Sequence, residues 1–232
     1  MNLSHRSYSK ELLDSDNIPF SDIKQNMKEL DFINTWLGGH SITIDGFKQL
    51  AGNRKHISVC EIGCGGGDNL IAIKKWCKQN GITVKLIGVD TKKECIDFAI
   101  SRKSFNPPDL FFTSDYKLVQ FDNKPDIIFS SLFCHHFTDE ELINQFRWMK
   151  QNSSIGFFVN DLDRNRVAYY AIKWLTVIFS KSYLVKNDAP LSVSRGFRKN
   201  ELMSLLSKAG LRDFTVFWKW AFRYLIIYTN HE

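Results

Sequence analysis

The sequence contains no C-x-x-C pair, and its five cysteines, at 60, 64, 77, 95 and 134, form an odd set. This excludes a disulfide-stapled scaffold and fits reduced thiols in a cytoplasmic protein. No run reaches the roughly 18 apolar residues that a membrane span needs. The stretch Leu3-Ser4-His5-Arg6 that follows Met1 and Asn2 has no apolar leader core, so no secretory leader is expected. The net charge is +6, yet no block of five or more basic residues occurs, which argues against a nucleic-acid partner. Aromatics, in contrast, are abundant: 19 Phe, 7 Tyr and 6 Trp, more than a minimal core requires. They point to an aromatic-lined pocket or an apolar contact surface. A length of 232 residues suits one α/β domain with a small lid.

The most informative stretch runs from Val59 to Asp68, VCEIGCGGGD. Residues 57–62 read as a buried strand, the glycines as a tight turn and residues 69–76 as the start of a helix. Strand, glycine turn and helix form the first unit of a nucleotide-binding α/β fold. Glycine lets a ligand approach the backbone, and the helix start offers unpaired N–H groups. A dinucleotide fingerprint beginning at Gly63 needs Gly or Ala at position 68; Asp68 stands there and would face a pyrophosphate with negative charge. The spacing is instead Glu61, Gly63, Gly65, Gly67.

Before this unit, Ile23, Met27, Leu30, Ile33, Trp36 and Leu37 recur at helical spacing, Gly38-Gly39 stops that helix, and a second helix is expected over 42–50. After it, the second strand ends in Asp90, 23 residues beyond Gly67, where an acid is placed to accept hydrogen bonds from ribose hydroxyls. Residues 106–109, NPPD, read as a loop before a third strand over 110–115. A fourth strand, 125–131, leads into Cys134-His135-His136 and a helix announced by a Thr138/Glu141 capping box. Adjacent Cys134, His135 and His136 cannot easily converge on one metal, Asp163 and Asp188 are not expected to meet, and no metal site is read here. The fifth strand is expected over 154–160, with Asn160 and Asp161 pointing into one cleft. Residues 167–180 are apolar almost all round, broken only by Lys173, Thr176 and Ser180. Such a helix is buried, covers an apolar substrate or touches a membrane surface; burial with substrate lining is the first expectation. Residues 181–197 read as a loop, 200–209 as a helix, and 214–219 and 222–229 as two closing strands.

The acidic-x-Gly-x-Gly-x-Gly order resembles motif I of class I S-adenosylmethionine (SAM)-dependent methyltransferases. The resemblance covers about residues 56–230, and the general run is similar to bacterial small-molecule methyltransferases of the quinone and polyketide type. It implies a seven-stranded, mostly parallel Rossmann-like sheet of order 3-2-1-4-5-7-6 with the last strand antiparallel. It further implies an N-terminal helical cap over 1–52, a catalytic domain over 53–232 and a substrate-covering insertion over about 162–197. SAM is the implied cofactor, with S-adenosylhomocysteine as product. Glu61, Gly63, Cys64, Gly65, Gly67, Asp90, Thr91, Asp115, Tyr116 and Ser131 are its implied ligands. His136, His135 and Asp161 are candidates for proton removal, with Tyr169 a further one; Tyr169, Trp174 and Arg195 are candidates for acceptor contact. The expected reaction is in-line methylation of a hydroxyl on an aromatic, quinone or polyketide-like compound. C-methylation, an RNA or protein acceptor, a non-catalytic binding protein and a nicotinamide oxidoreductase are the alternatives. Monomer or homodimer and a weak membrane-surface contact complete the expectations.

Overall fold

The computed structural model describes residues 3–15 and 18–230; Met1 and Asn2, with which the leader reading begins, lie outside them. After an extended segment and a short 3-10 turn at Leu12–Asp14, α1 (Phe20–Trp36) and α2 (Gly39–Ala51) precede the sheet. Gly38 adopts φ 77° as the N-cap of α2, so the second helix starts three residues earlier than its apolar spacing suggests. The chain then alternates: β1 (His56–Ile62), α3 (Asp68–Gln79), β2 (Thr83–Asp90), α4 (Lys93–Ser101), β3 (Leu110–Thr113), β4 (Ile127–Ser131), α5 (Asp139–Asn152) and β5 (Gly156–Leu162). It ends with α6 (Arg166–Phe179), α7 (Tyr183–Arg195), α8 (Lys199–Lys208), β6 (Phe214–Lys219) and β7 (Arg223–Thr229).

The strands form one sheet of order β3-β2-β1-β4-β5-β7-β6. β7 runs antiparallel to β5 and β6, and the other pairs are parallel. Both faces of the sheet are covered, which is why the central strands read as continuous apolar runs. Ile127, Phe129 and Phe158 pack with α2 and α3, while Ile128, Phe157 and Val159 pack with α5 and α8. α2 lies directly on β5: a Cβ on Gly46 would stand 2.6 Å from the Phe158 ring. Only a residue without a side chain permits that approach.

Three expectations change. Residues 181–197 are not a loop, because Ser182 caps α7 by accepting the Val185 N–H, and Leu184, Val185 and Val193 are buried. Asn187-Asp188-Ala189-Pro190 carries turn residues, but Asp188 accepts the amides of Leu12 and Leu13, both at 2.9 Å, from a distant segment. β3 closes at Thr113, before Asp115. β5 runs two residues further than expected, which places Asn160 and Asp161 inside the strand. Successive strand residues point to opposite faces, so the two do not share a cleft.

Candidate active site

The carboxyl ends of β1 and β2 build the first half of the site. Gly63 and Cys64 donate their N–H groups to the Val89 carbonyl at 2.8 and 3.0 Å, which fastens the glycine turn to β2. Gly63 sits at φ 68°, and a Cβ there would meet the Phe133 ring at 2.2 Å. Gly65 also has positive φ, at 50°, but its Cβ position faces open space within 4 Å. The turn is therefore packed behind Gly63 and free in front of Gly65. Cys64 is buried with its thiol near the Gly65 carbonyl, and burial holds that thiol well above its ordinary pKa. Gly67, at φ 76°, caps α3.

Asp90 accepts the Gly65 N–H at 2.9 Å through one oxygen and the Lys92 N–H at 2.9 Å through the other. Burial raises its pKa against those two donors. Each carboxylate oxygen keeps a further lone pair for an incoming hydroxyl. Thr91 is exposed beside it. Glu61 is 1% exposed; one oxygen accepts Asn69 Nδ2 at 2.9 Å and the other has no partner among the described residues. Burial lifts its pKa well above the carboxylate range. A buried acid with an orphaned oxygen is the feature an ammonium group would satisfy, and SAM carries one, so the residues fit this cofactor. Asn69 in turn faces His40 Nδ1 at 3.0 Å, and His40 Nε2 faces Asp31 at 2.9 Å. Burial opposes charge on His40, but Asp31 and Asn69 outweigh it and raise its pKa. α1 crosses this half of the site: Met27 Sδ lies 3.4 Å from where a Gly66 Cβ would stand.

Asp68 is not a bare charge at the turn, because Arg102 pairs with it and also donates to the Gly66 carbonyl at 3.1 Å. What separates this site from a dinucleotide fold is the order of the strands and the antiparallel β7 rather than the charge of Asp68. Asp115 accepts the Lys117 N–H at 3.0 Å and caps a short turn. Tyr116 is buried among Phe133, Phe137 and Trp148, so its ring belongs to the core. Ser131 is buried at the end of β4, within 3.4 Å of Asn160 Nδ2, which also donates to the Gly39 carbonyl at 3.1 Å. Asn160 thus ties α2 to the sheet.

The second half of the site lies where β4 ends. Cys134 turns into the core, against Ser130 and Gln145. His135 is 3% exposed; its Nδ1 faces Asp161 at 2.7 Å and its Nε2 faces Glu11 at 3.5 Å. Burial opposes protonation of His135, but the two carboxylates outweigh it and lift the imidazole to about 9. Asp161 is correspondingly held low, with His135 and the Leu162 N–H overcoming its burial. His136 is half-buried, with Nδ1 3.3 Å from Asp14 and Nε2 3.8 Å from Glu11. His136 and the Glu11 N–H overcome burial and hold Asp14 down at about 2. Among the described residues, Glu11, His135 and His136 bring ligand-type atoms within 4.8 Å of one another. Asp163, which accepts from Trp218, and Asp188 do not join them.

Residue 11 reaches the histidines because the amino-terminal segment is strapped across them. Arg195 donates to the carbonyls of His135 at 3.1 Å, His136 at 2.8 Å and Ser9 at 2.8 Å. Arg6 donates to the carbonyls of Arg195 at 3.1 Å and Phe137 at 2.8 Å, and Ser192 donates to Glu11 at 2.6 Å. Arg195, read as an acceptor contact, thus holds the strap through backbone carbonyls. Tyr169 is half-buried, and Trp174 is 65% exposed on the outer side of α6 rather than in an enclosed cleft. Glu11, Asp14, His40 and Asn69 escaped the sequence reading. No local spacing links residue 11 to residue 135, although Asn69, beside the helix start, carried the ordinary signal of a turn-capping side chain.

Residues 59–152, from β1 to the end of α5, match the model of a family described as a methyltransferase domain. No curated protein matches the sequence significantly. The plantazolicin methyltransferase BpumL, solved with SAH, superposes with a TM-score of 0.66 at 17% identity, covering 91% of this chain and 90% of that one. Human N-acetylserotonin methyltransferase with SAM gives 0.65 at 17% identity, covering 92% of this chain and 57% of that one. Magnesium protoporphyrin IX methyltransferase from Synechocystis with bound SAM gives 0.56 at 11% identity, covering 94% and 100%. Residues 59–152 thus match a methyltransferase domain, and the chain as a whole shares its sheet order and fold with SAM-dependent methyltransferases.

Proposed function

We propose that the protein methylates a hydroxyl of a small aromatic, quinone or polyketide-like acceptor. SAM supplies an electrophilic methyl group on a sulfonium centre. Glu61 holds its ammonium group, Asp90 its ribose hydroxyls, and the backbone at Gly65 lets it approach. The remaining task is to orient the acceptor oxygen in line and take its proton as the bond to carbon forms. Orientation alone contributes roughly 7–11 kcal/mol in well-aligned systems. His136 is the base we favour: both imidazoles lie between carboxylates, but the His136 side chain is 23% exposed and its contacts, at 3.3 and 3.8 Å, are longer than the 2.7 Å His135–Asp161 bond. Asp161 and Glu11 position His135, and the strap positions both. The observation that carries this reading is the partly exposed imidazole of His136 just beyond the carboxyl end of β4, where ligands of such sheets bind. An apolar groove between α1 and α6, lined by Phe32, Trp36, Leu175 and Phe179, supports an apolar acceptor. All five thiols are free and buried, which supports a reducing, cytoplasmic setting.

The test is calorimetric titration of SAM, SAH and NAD, followed by transfer of labelled methyl to phenolic, quinol and polyketide acceptors. His136→Ala should lower turnover roughly 10²–10⁴-fold with SAH binding unchanged. Unchanged turnover would remove His136 from the chemistry, and a product labelled on carbon would replace the hydroxyl as target. Binding of NAD alone would overturn the reaction class.

A further inference from the structure

α6 is built inside out. Its polar Thr176 is buried and donates to the Ile172 carbonyl of its own helix, and Ala168 is buried with it. Facing outward are Trp174, Ile178 and Phe179, at 65, 66 and 75% exposed. α1 continues this surface with Phe32 and Trp36, at 61 and 74% exposed, across the shared groove. A contiguous apolar face of this kind on a soluble domain marks a contact surface.

Charge identifies what it contacts. Between Asp163 and Asp188 the sequence contains no acid, while Arg166 and Lys173 of α6, Lys181 just after it and Lys186 of α7 are exposed. Glu29, the one acid lining the groove, has its oxygens bonded to Ser180 and to the Lys181 N–H. A second copy docked face to face would bring the same lysines of both copies together, since a two-fold interface pairs a patch with itself. An anionic surface would instead neutralise them. The helix, 14 residues and so about 21 Å long, is too short to cross a bilayer but suited to lying in its interface. Tryptophan and tyrosine prefer that depth, and Trp36, Trp174 and Tyr170 are exposed there.

We propose that α6 and the outer face of α1 dock on the surface of an anionic lipid bilayer, with the aromatic side chains in the interface and the lysines among the headgroups. The groove that supports an apolar acceptor lies within this face, so the docking would let such an acceptor arrive from the lipid phase.

The test is sedimentation of the full chain with vesicles of phosphatidylcholine, with and without phosphatidylglycerol. The protein should sediment with the anionic vesicles and partition at least tenfold less to the neutral ones. Trp174→Glu combined with Phe179→Glu should abolish sedimentation. Lys173→Ala and Lys181→Ala should each weaken partitioning about fivefold, as expected for about 1 kcal/mol per basic residue at an anionic surface. SAH affinity measured on each variant reports that it is folded, and failure of vesicle binding leaves the methyltransferase reading untouched. Absence of binding to anionic vesicles, or binding unchanged by the double substitution, would overturn the proposal. So would a wild-type dimer in sedimentation equilibrium that Trp174→Glu dissociates, because a second copy would then cover the face.

Discussion

Two adjoining regions of this chain reverse the usual relation between residue type and burial. Asn160, Asp161, Asp163, Arg164, Asp188, Ser194 and Arg195 are polar and buried. Between them along the chain, residues 167–179 are largely apolar and face outward. The difference shows that burial here follows from partners. Arg164, among the largest fully buried side chains, is enclosed because Glu201 at 2.6 Å, the Gly196 carbonyl at 2.7 Å and the Leu3 carbonyl at 3.1 Å satisfy its donors. Phe179 and Trp174 stay outside because, among the described residues, none encloses that side of α6.

The largest expected effect tests the buried polar side of this contrast. His135→Ala removes the cation between Asp161 and Glu11 and leaves two buried carboxylates without their shared positive partner. It should cost roughly 3–5 kcal/mol in urea denaturation, as for other broken buried ion pairs; an unchanged midpoint would mean that the pair is hydrated rather than enclosed. Arg195→Ala comes next. Loss of charge-assisted bonds to carbonyls should cost about 1.5–3 kcal/mol, and it should free the strap, so that limited proteolysis cuts near residues 3–15 first. A strap that stays protected would show that Arg6 and Asp188 hold it without Arg195.

A smaller effect sharpens the comparison at its partly exposed margin. The folded protein raises the pKa of His40 and lowers that of Asp31, mainly through their hydrogen bond, with burial opposing both. The contribution of His40 should therefore be fully present below about pH 6.5, the ordinary imidazole value, and be lost as pH rises through the higher folded value. On the acid side, the contribution of Asp31 should be lost as pH falls through its depressed value. Melting curves of wild type and His40→Gln between pH 5 and 9, a range of about 4 units around that value, should converge toward the alkaline end; parallel curves would deny that His40 is charged. The smallest effect belongs to the exposed apolar side. Trp174→Glu with Phe179→Glu should change stability by no more than about 0.5 kcal/mol, the range of surface substitutions. A large loss would show that this face is covered within the folded chain, and the contrast would collapse.

Elements that depend on local order were legible in the residues themselves. Three spaced glycines after an acid, Asp90 at the end of the second strand, the Thr138/Glu141 box and the alternation of apolar strands with helices led to the observed sheet, because these signals act within a few residues of the backbone they shape. The helix over residues 167–180 was equally legible, but the side it would bury was not, since period alone does not say which neighbour meets which face. α7 was missed because Asn187 to Pro190 carries turn chemistry, and only the amides of Leu12 and Leu13 give Asp188 a different task. The Glu11–His135–Asp161 cluster was legible only at its two strand-end members, His135 and Asp161. Its third member arrives from 124 positions away, and contacts across that distance are set by the packing of the whole chain. Which polar groups are enclosed and which apolar ones face out follows from contacts between distant segments, which no local pattern encodes.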